Sequence, residues 1–303
     1  MPDGGCATLC AVNDLDVTWA PDFAFVDLVR AWWPTVARDL PWRTLRDPWA
    51  VHVSEVMAQQ TQVDRVIPKW TAFLERFPTV NDAAAARPGE LIEMWDGLGY
   101  NRRALYLHRF AVAVVEDHGG HIPSDLEQLV ALPGVGPYTA RAVLAFAFER
   151  DVAVVDTNVG RVLARLGGTS LTPVEAQQRA DALVPVGSGW EWNQAILDFG
   201  ATVCTKRAPA CEQCVAFDRC RWQGSGPDPA TGSAQVSGRQ SKFLGSDRQA
   251  RGRLVRALRN GSMTVSDAHG VLDLRDVNRR DRVLSSLVRD GLVVERDGYL
   301  ELP

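Results

Sequence analysis

Four cysteines, Cys204, Cys211, Cys214 and Cys220, fall in one short Pro-containing segment with the spacing C-x6-C-x2-C-x5-C. Thiols that close in sequence act together, as metal ligands or as disulfide partners, and either use ties the chain around them into a tight loop. The opening stretch MPDGGCATLC has neither a basic region nor a long apolar run, so an exported, disulfide-forming chain is not expected. Tetrathiolate zinc usually takes its ligands from two short C-x2–4-C hooks, whereas here one gap is six residues and the ligands run as a single comb. A comb of this kind suits a cubane cluster in which each iron takes one thiolate. An iron–sulfur cluster is therefore expected, with structural zinc as the alternative. Cys6 and Cys10, in the Gly-containing N-terminal stretch, are given no role.

A chain of 303 residues can bury a sizeable core and divide into two or three domains. Its 46% apolar and 23% charged residues are ordinary for a globular protein, and its longest apolar runs are interrupted by Arg, Asp or Gly before they could span a membrane. The net charge of −4 is not the overall mark of a nucleic-acid binder. Local basic patches and helix N-termini nevertheless hold phosphates on acidic proteins. The basic residues are nearly all arginine, the only lysines being Lys69, Lys206 and Lys242.

Apolar spacing of Phe23, Phe25, Val26, Val29, Trp32, Trp33 and Val36 predicts an amphipathic helix over 22–40, which LPWRTLRDP then breaks. A second helix is predicted over 49–66 and a third opening at Pro68. Further helices are predicted over 91–95, 102–115, 125–132, 137–148, 158–166, 173–183 and 193–203, with almost no strand signal. The body is thus mostly α. Gly, Pro, Ala and Ser dominate 224–238 and mark a linker. Beyond it, helices over 248–258 and 279–290 precede strands over 292–295 and 299–302 around an Asp-Gly turn, a small α+β, winged-helix-like module.

The segment LPGVGPYTARAVLAFAF places Gly134 and Gly136 in a tight turn between two helices, where both are expected to supply positive φ and close backbone approach. Amides at the start of the second helix then face outward, ready for a phosphate or simply for a helix–turn–helix corner. Glu55 interrupts the apolar run Val51, Val53, Val56, Met57, where partial burial would keep it protonated. It also reads as a carboxylate capping a neighbouring helix. Asp156 follows the apolar run VAVV and precedes a helix opening near Asn158, the position of an N-cap.

LPGVGPYTA, then VVDTNVGRVLAR, then the cysteine comb, resemble the helix–hairpin–helix DNA glycosylases that carry a [4Fe-4S] cluster. DPWAVHVSEVMAQQTQVDRVIPKW and WDGLGY look specifically like the MutY-type adenine glycosylases, and the match runs from about 40 to 220. The resemblance implies a two-lobed fold: a cluster lobe from 21–45 with 151–223, and a six-helix lobe over 46–150 holding the hairpin. A flexible tail over 1–20, a linker over 224–245 and the winged-helix-like module over 246–303 complete the chain. It implies a [4Fe-4S] cluster on Cys204, Cys211, Cys214 and Cys220, and a monofunctional glycosylase excising adenine opposite 8-oxoguanine or guanine in double-stranded DNA. Such an enzyme acts on cytoplasmic, nucleoid-associated DNA, as a monomer and away from membranes.

Residue by residue, the resemblance makes Glu55 the acid that protonates adenine N7 and Asp156 the anion facing the ribose, with Asn158 beside it. A glycosidic bond breaks through an oxocarbenium-like state, so a neutral and an ionised carboxyl are the required pair. Relatives of the endonuclease III type carry a lysine where this chain has Tyr138; tyrosine there implies weak or no strand cutting and a role in positioning Asp156 or the sugar. Gln60 and Tyr100 match residues that enter the stack beside the partner base, and Trp42, Arg43 and Gln194 match the adenine pocket. The chain departs from the pattern at Asn101, Ala58 and Thr157, and its tail does not match the Nudix-like domain of many relatives. Arg248, Arg251, Arg253 and Arg256 are expected to contact phosphates in its place. A thymine or uracil mismatch glycosylase, and a non-catalytic cluster-containing DNA-binding protein, are the alternatives.

Overall fold

The computed structural model describes residues 19–233 and 242–303, so Cys6, Cys10, most of the expected 1–20 tail and part of the expected linker lie outside the described residues. In chain order the helices are α1 Phe23–Trp32, α2 Pro48–Ala58, α3 Val63–Arg76, α4 Val80–Ala85, α5 Pro88–Met94, α6 Arg102–His118 and α7 Leu126–Ala131. They continue as α8 Pro137–Phe146, α9 Thr157–Gly167, α10 Pro173–Asp181, α11 Gly189–Thr202, α12 Asp247–Leu258, α13 Val265–Leu272 and α14 Val277–Arg289. Three short strands, β1 Met263–Thr264, β2 Val294–Arg296 and β3 Tyr299–Glu301, complete the described elements. The fold is mostly helical, as expected, with its strands confined to the C-terminal region.

The chain divides into two compact units, one of Met1–Ala37 with Val155–Ser237 and one of Arg38–Val154 with Gly238–Pro303. The first packs α1 on α11 and α11 on α9. Phe25 meets Trp192 and Phe199 edge-on at 5.9 and 6.0 Å, and Trp32 meets Phe199 at 5.6 Å. Such offset aromatic contacts add about 1 kcal/mol each to their burial. Gly200 lets α11 approach α9, since a Cβ there would stand 2.8 Å from that of Asn158.

The second unit is built around α2, whose side chains are buried on nearly all sides. Trp49, Phe73, Phe77, Trp95 and Phe110 fill its core, and the Trp49 and Trp70 indoles donate to the Phe77 and Ala50 carbonyls at 3.0 and 2.9 Å. Those bonds let large amphipathic rings be buried without an orphaned N–H. The C-terminal segment belongs to this same unit. There α12, β1, α13, α14, β2 and β3 follow in winged-helix order, and β3 pairs antiparallel with both β1 and β2. Asp297 and Gly298, at φ 51° and 80°, make the anticipated Asp-Gly turn.

Helix boundaries depart from expectation between 58 and 68. α2 stops at Ala58 rather than 66, and Pro68 lies inside α3 instead of opening it. α4, whose Thr79–Asp82 capping box fixes its start, and α13 with β1 were not anticipated.

Candidate active site and cysteine loop

Glu55 sits on the last two turns of α2, half-buried among Val51, Val56 and Met57. Tyr138, in the first turn of α8, donates its hydroxyl to Glu55 Oε2 at 2.9 Å. The hairpin between α7 and α8 thus places a phenol on the carboxyl of the candidate acid. Gly134 turns this hairpin at φ 78°, and a Cβ there would stand 2.7 Å from the Tyr106 Cβ, so glycine is required twice over. Gly136 needs no such freedom. It is the N-cap of α8 at φ −96° and ψ 172°, ordinary extended backbone, and a Cβ would meet nothing within 4 Å. The expectation of positive φ at both glycines is corrected at Gly136: the turn is completed at Gly134.

Asp156 belongs to the other unit and is the N-cap of α9. Its Oδ1 accepts from the Asn158 and Val159 amides, both at 2.7 Å, and its Oδ2 from Asn158 Nδ2 at 2.8 Å. Thr157 takes the first helical position without strain. Burial pushes the Asp156 carboxyl above the usual range, against the pull of these three bonds and of Arg161. A carboxylate so placed is poorly solvated and gains most when a cation develops beside it.

α9 carries two buried arginines that sequence reading passed over. Arg161 donates to Asn158 Oδ1 at 2.9 Å, to the Gly200 carbonyl at 2.6 Å and to the Cys204 carbonyl at 2.8 Å. It ties the Asp156 cap to the start of the cysteine loop. One turn later Arg165, 2% exposed, pairs with Asp228 at 2.7 Å, stacks on Trp222 and donates to the Thr205 carbonyl at 2.7 Å and the Cys204 thiol at 3.4 Å. The only signal in sequence was their i, i+4 spacing in an otherwise apolar helix.

Cys204, Cys211, Cys214 and Cys220 all line one cavity of about 440 Å³, counting the part open to solvent. Phe25, Val162, Leu166, Phe199, Phe217 and Trp222 make its apolar wall. The four cysteines are free thiols, and burial pushes the Cys204 and Cys211 thiols up and that of Cys214 up to about 11. Among the described residues no three His, Cys, Asp or Glu side chains are grouped so as to hold a metal ion; the four thiols line a shared space. Lys206 and Arg207 are exposed on the same loop.

Gln60 and Tyr100 share an unusual backbone, both left-handed at φ 54° and 49° without being glycine. Arg103 explains them. Its guanidinium donates to the carbonyls of Val56, Met57 and Gln59 at 2.7–3.0 Å, and to those of Leu98 and Gly99 at 3.0 and 2.9 Å. One side chain therefore gathers both loops, and the carbonyls it takes at 56, 57 and 59 are those on which a longer α2 would depend. Trp42 packs edge-on against Trp70 at 5.7 Å, Arg43 is buried and donates to the Arg38 carbonyl, and Gln194 is buried on α11.

The arginines expected to meet phosphates are engaged within the protein. Arg251 bonds Ser286 and Asp290, Arg253 bonds Asp273, Arg256 bonds Asp96, and Arg248 bonds Tyr100. Their positions opposite acidic residues are invisible in a one-dimensional count of charge.

Residues 53–186 match the HhH-GPD superfamily base excision DNA repair protein family. The adenine DNA glycosylase of Mycolicibacterium smegmatis is 42% identical over 279 residues, spanning 90% of this chain and 94% of its own. That of Mycobacterium tuberculosis strain H37Rv is 42% identical over 282 residues, spanning 90% and 91%. Among solved structures, a thermostable thymine-DNA glycosylase is similar with a TM-score of 0.62 at 30% identity, over 66% of this chain and 95% of that one.

Proposed function

We propose how a member of the adenine DNA glycosylases, the branch of the HhH-GPD superfamily of base excision DNA repair proteins to which this chain belongs, divides the cleavage of an N-glycosidic bond between Glu55 and Asp156. The enzyme is a hydrolase of adenine N-glycosyl bonds in DNA. The target base leaves the stack, at a cost of a few kcal/mol that is lowest for a mispaired base. Glu55 gives its proton to adenine N7, the bond from the sugar to adenine breaks with its electron pair leaving on the base, and water completes the sugar. Asp156 faces the oxocarbenium-like sugar as the anion, held ionised by Asn158 and Val159 as the developing cation makes up for its lost solvation.

The observation that carries this division is the 2.9 Å hydrogen bond from Tyr138 to Glu55. It supports a role for Tyr138 in orienting the acid, beside the expected part in positioning Asp156 or the sugar, and a phenol cannot form the Schiff base on which strand cutting depends. Gln60 and Tyr100 enter the stack beside the partner base, Trp42, Arg43 and Gln194 are assigned to recognition of the adenine, and the hairpin around Gly134 and Gly136 holds the backbone. The substrate is duplex DNA with adenine opposite 8-oxoguanine or guanine, met by a monomer on nucleoid DNA; no described helix is long and apolar enough to cross a membrane.

Cys204, Cys211, Cys214 and Cys220 hold a [4Fe-4S] cluster. Four thiols lining one apolar space, none of them in a disulfide, are the donor set that a four-iron group requires. When bound, the cluster would supply positively charged iron as the partner of four half-buried sulfurs and so fix the loop bearing Lys206 and Arg207 against phosphate.

Glu55→Gln tests the reading. It abolishes adenine release from duplexes with A opposite 8-oxoguanine and from A:G, while duplex binding persists; surviving release would refute the assignment. The same duplexes carrying thymine or uracil opposite guanine are left intact by the native protein.

A further inference from the structure

The helix α12 of the C-terminal module lies along the loop that carries Tyr100. At its start, Arg248 donates to the Tyr100 hydroxyl and its guanidinium stands 5.3 Å from the centre of the Tyr100 ring. The same guanidinium stands 5.3 Å from the centre of the Phe243 ring. Two turns further on, Arg256 donates to Asp96 Oδ1 at 3.1 Å, and Arg259, just past the helix end, stands 2.8 Å from Asp96 Oδ2. The two ends of the loop from Asp96 to Tyr100 are therefore gripped by one helix.

That loop needs gripping. Gly97, Gly99 and Tyr100 all have positive φ, at 85°, 71° and 49°. Two glycines give it conformational freedom, and a left-handed tyrosine is disfavoured unless its surroundings hold it. Arg103 holds the loop's carbonyls from inside, but the tyrosine ring projects outward, 37% exposed. The module itself is seated by independent contacts. The Gly89 amide donates to the Pro303 carbonyl at 2.7 Å, where a Cβ on Gly89 would stand 2.6 Å from that oxygen. Gly291 lies against Leu105 and Arg109.

The geometry points to Arg248 as a positioning residue for Tyr100, with Arg256 and Arg259 fixing the loop's other end, so that the C-terminal module sets the geometry with which the tyrosine enters the DNA stack. The inference rests on the reading of Tyr100 as a stacking residue. Arg248 and Tyr100 share a cation–ring contact and a charge-assisted hydrogen bond, the combination that restrains both the ring and the direction of its hydroxyl.

The test uses the full chain and four variants: Arg248→Ala, Arg248→Lys, Tyr100→Ala and the double change. Single-turnover adenine excision, duplex affinity and thermal melting are measured on each, and 2-aminopurine fluorescence beside the target adenine reports stacking. Arg248→Ala is expected to slow excision by about tenfold, equivalent to about 1.4 kcal/mol, and to change the 2-aminopurine signal. Its melting curve stays that of the native protein, and Arg248→Lys recovers only part of the rate. In the Tyr100→Ala background Arg248→Ala has no further effect. If Tyr100→Ala slows excision but Arg248→Ala does not, or if the two effects simply add, the inference falls while the reading of Tyr100 stands. If Tyr100→Ala itself changes neither rate nor fluorescence, the stacking reading falls and the inference with it.

Discussion

Replacing Arg103 by alanine is the substitution whose consequence is most fully determined by the structure. The side chain makes five bonds to backbone carbonyls and one to Thr61 Oγ1 at 3.1 Å. It also lies 5.4 Å from the Trp95 ring centre. Burial pushes its pKa down to about 10, so it remains charged at neutral pH and each bond is charge-assisted. A bond of that kind is worth about 1.5–3 kcal/mol, but the six share one rigid fork and the exposed carbonyls regain water, so they do not sum. A loss of about 3–5 kcal/mol, the range for breaking a buried ionic network, is the appropriate figure. For a unit of this size that lowers the melting temperature by roughly 6–20 °C.

The functional effect is larger than the stability effect suggests, because Gln60 and Tyr100 are both held left-handed by the same guanidinium. At a temperature where Arg103→Ala is folded, single-turnover adenine excision is expected to fall by at least about tenfold, the cost of about 1.4 kcal/mol at the transition state. Arg103→Lys recovers little of it, since a point ammonium with three donors cannot span two loops. Calorimetric melting and the single-turnover assay check the two halves separately. Unchanged melting, or lowered melting with native excision, would show that the loops take their shape without Arg103.

Two further outcomes follow from buried groups. His52 is stacked on Phe110 at 3.9 Å, its Nδ1 has no hydrogen-bond partner, and burial pushes it from 6.5 down to about 3. The unfolded chain therefore binds a proton there below about pH 6.5 and the folded one does not, so stability falls as pH drops through the window from 6.5 to 3. At pH 5 the loss is about 2 kcal/mol; His52→Phe removes that part of the acid slope in denaturant titrations from pH 7 to 5, and an identical slope in both proteins would contradict it. Anaerobically purified protein is expected to carry about four iron and four sulfide per chain. Cys214→Ser lowers both and lowers the melting temperature, whereas zinc without sulfide in the native protein would overturn the cluster proposal.

Which parts of this protein were legible in its sequence depended on whether their cause was local. The cap at Asp156 could be read from an apolar run ending before Asn158, because capping involves three adjacent residues. The Asp-Gly turn and the Gly134 hairpin were readable for the same reason. The break after Ala58 was not, since AQQTQ contains neither glycine nor proline. Its cause is a guanidinium 44 residues or more away in sequence from the carbonyls it takes, and the left-handed Gln60 has no local signature. The ion pairs of the α12 arginines were illegible for a related reason: composition gives their charge but not the aspartates, Asp96, Asp273 and Asp290, that fold back beside three of them.

The same distinction bears on how chemistry and scaffold meet in the unit that holds Asp156. That carboxyl is raised by burial and held down by Asn158, whose side-chain carbonyl is in turn held by Arg161. Arg161 also grips the carbonyl of Cys204, and Arg165 one turn later grips the next two carbonyls and that cysteine's thiol. The first cysteine is thus attached to the Asp156 cap through Arg161, and Arg165 on the same helix holds the rest of its loop. A loop that loosened at Cys204 would release Arg161, free the amide of Asn158 to rotate, and withdraw one of the donors that keep Asp156 an anion. The cysteine comb is thus joined, through Arg161 and Asn158, to the carboxylate proposed to face the sugar, without any contact to substrate of its own.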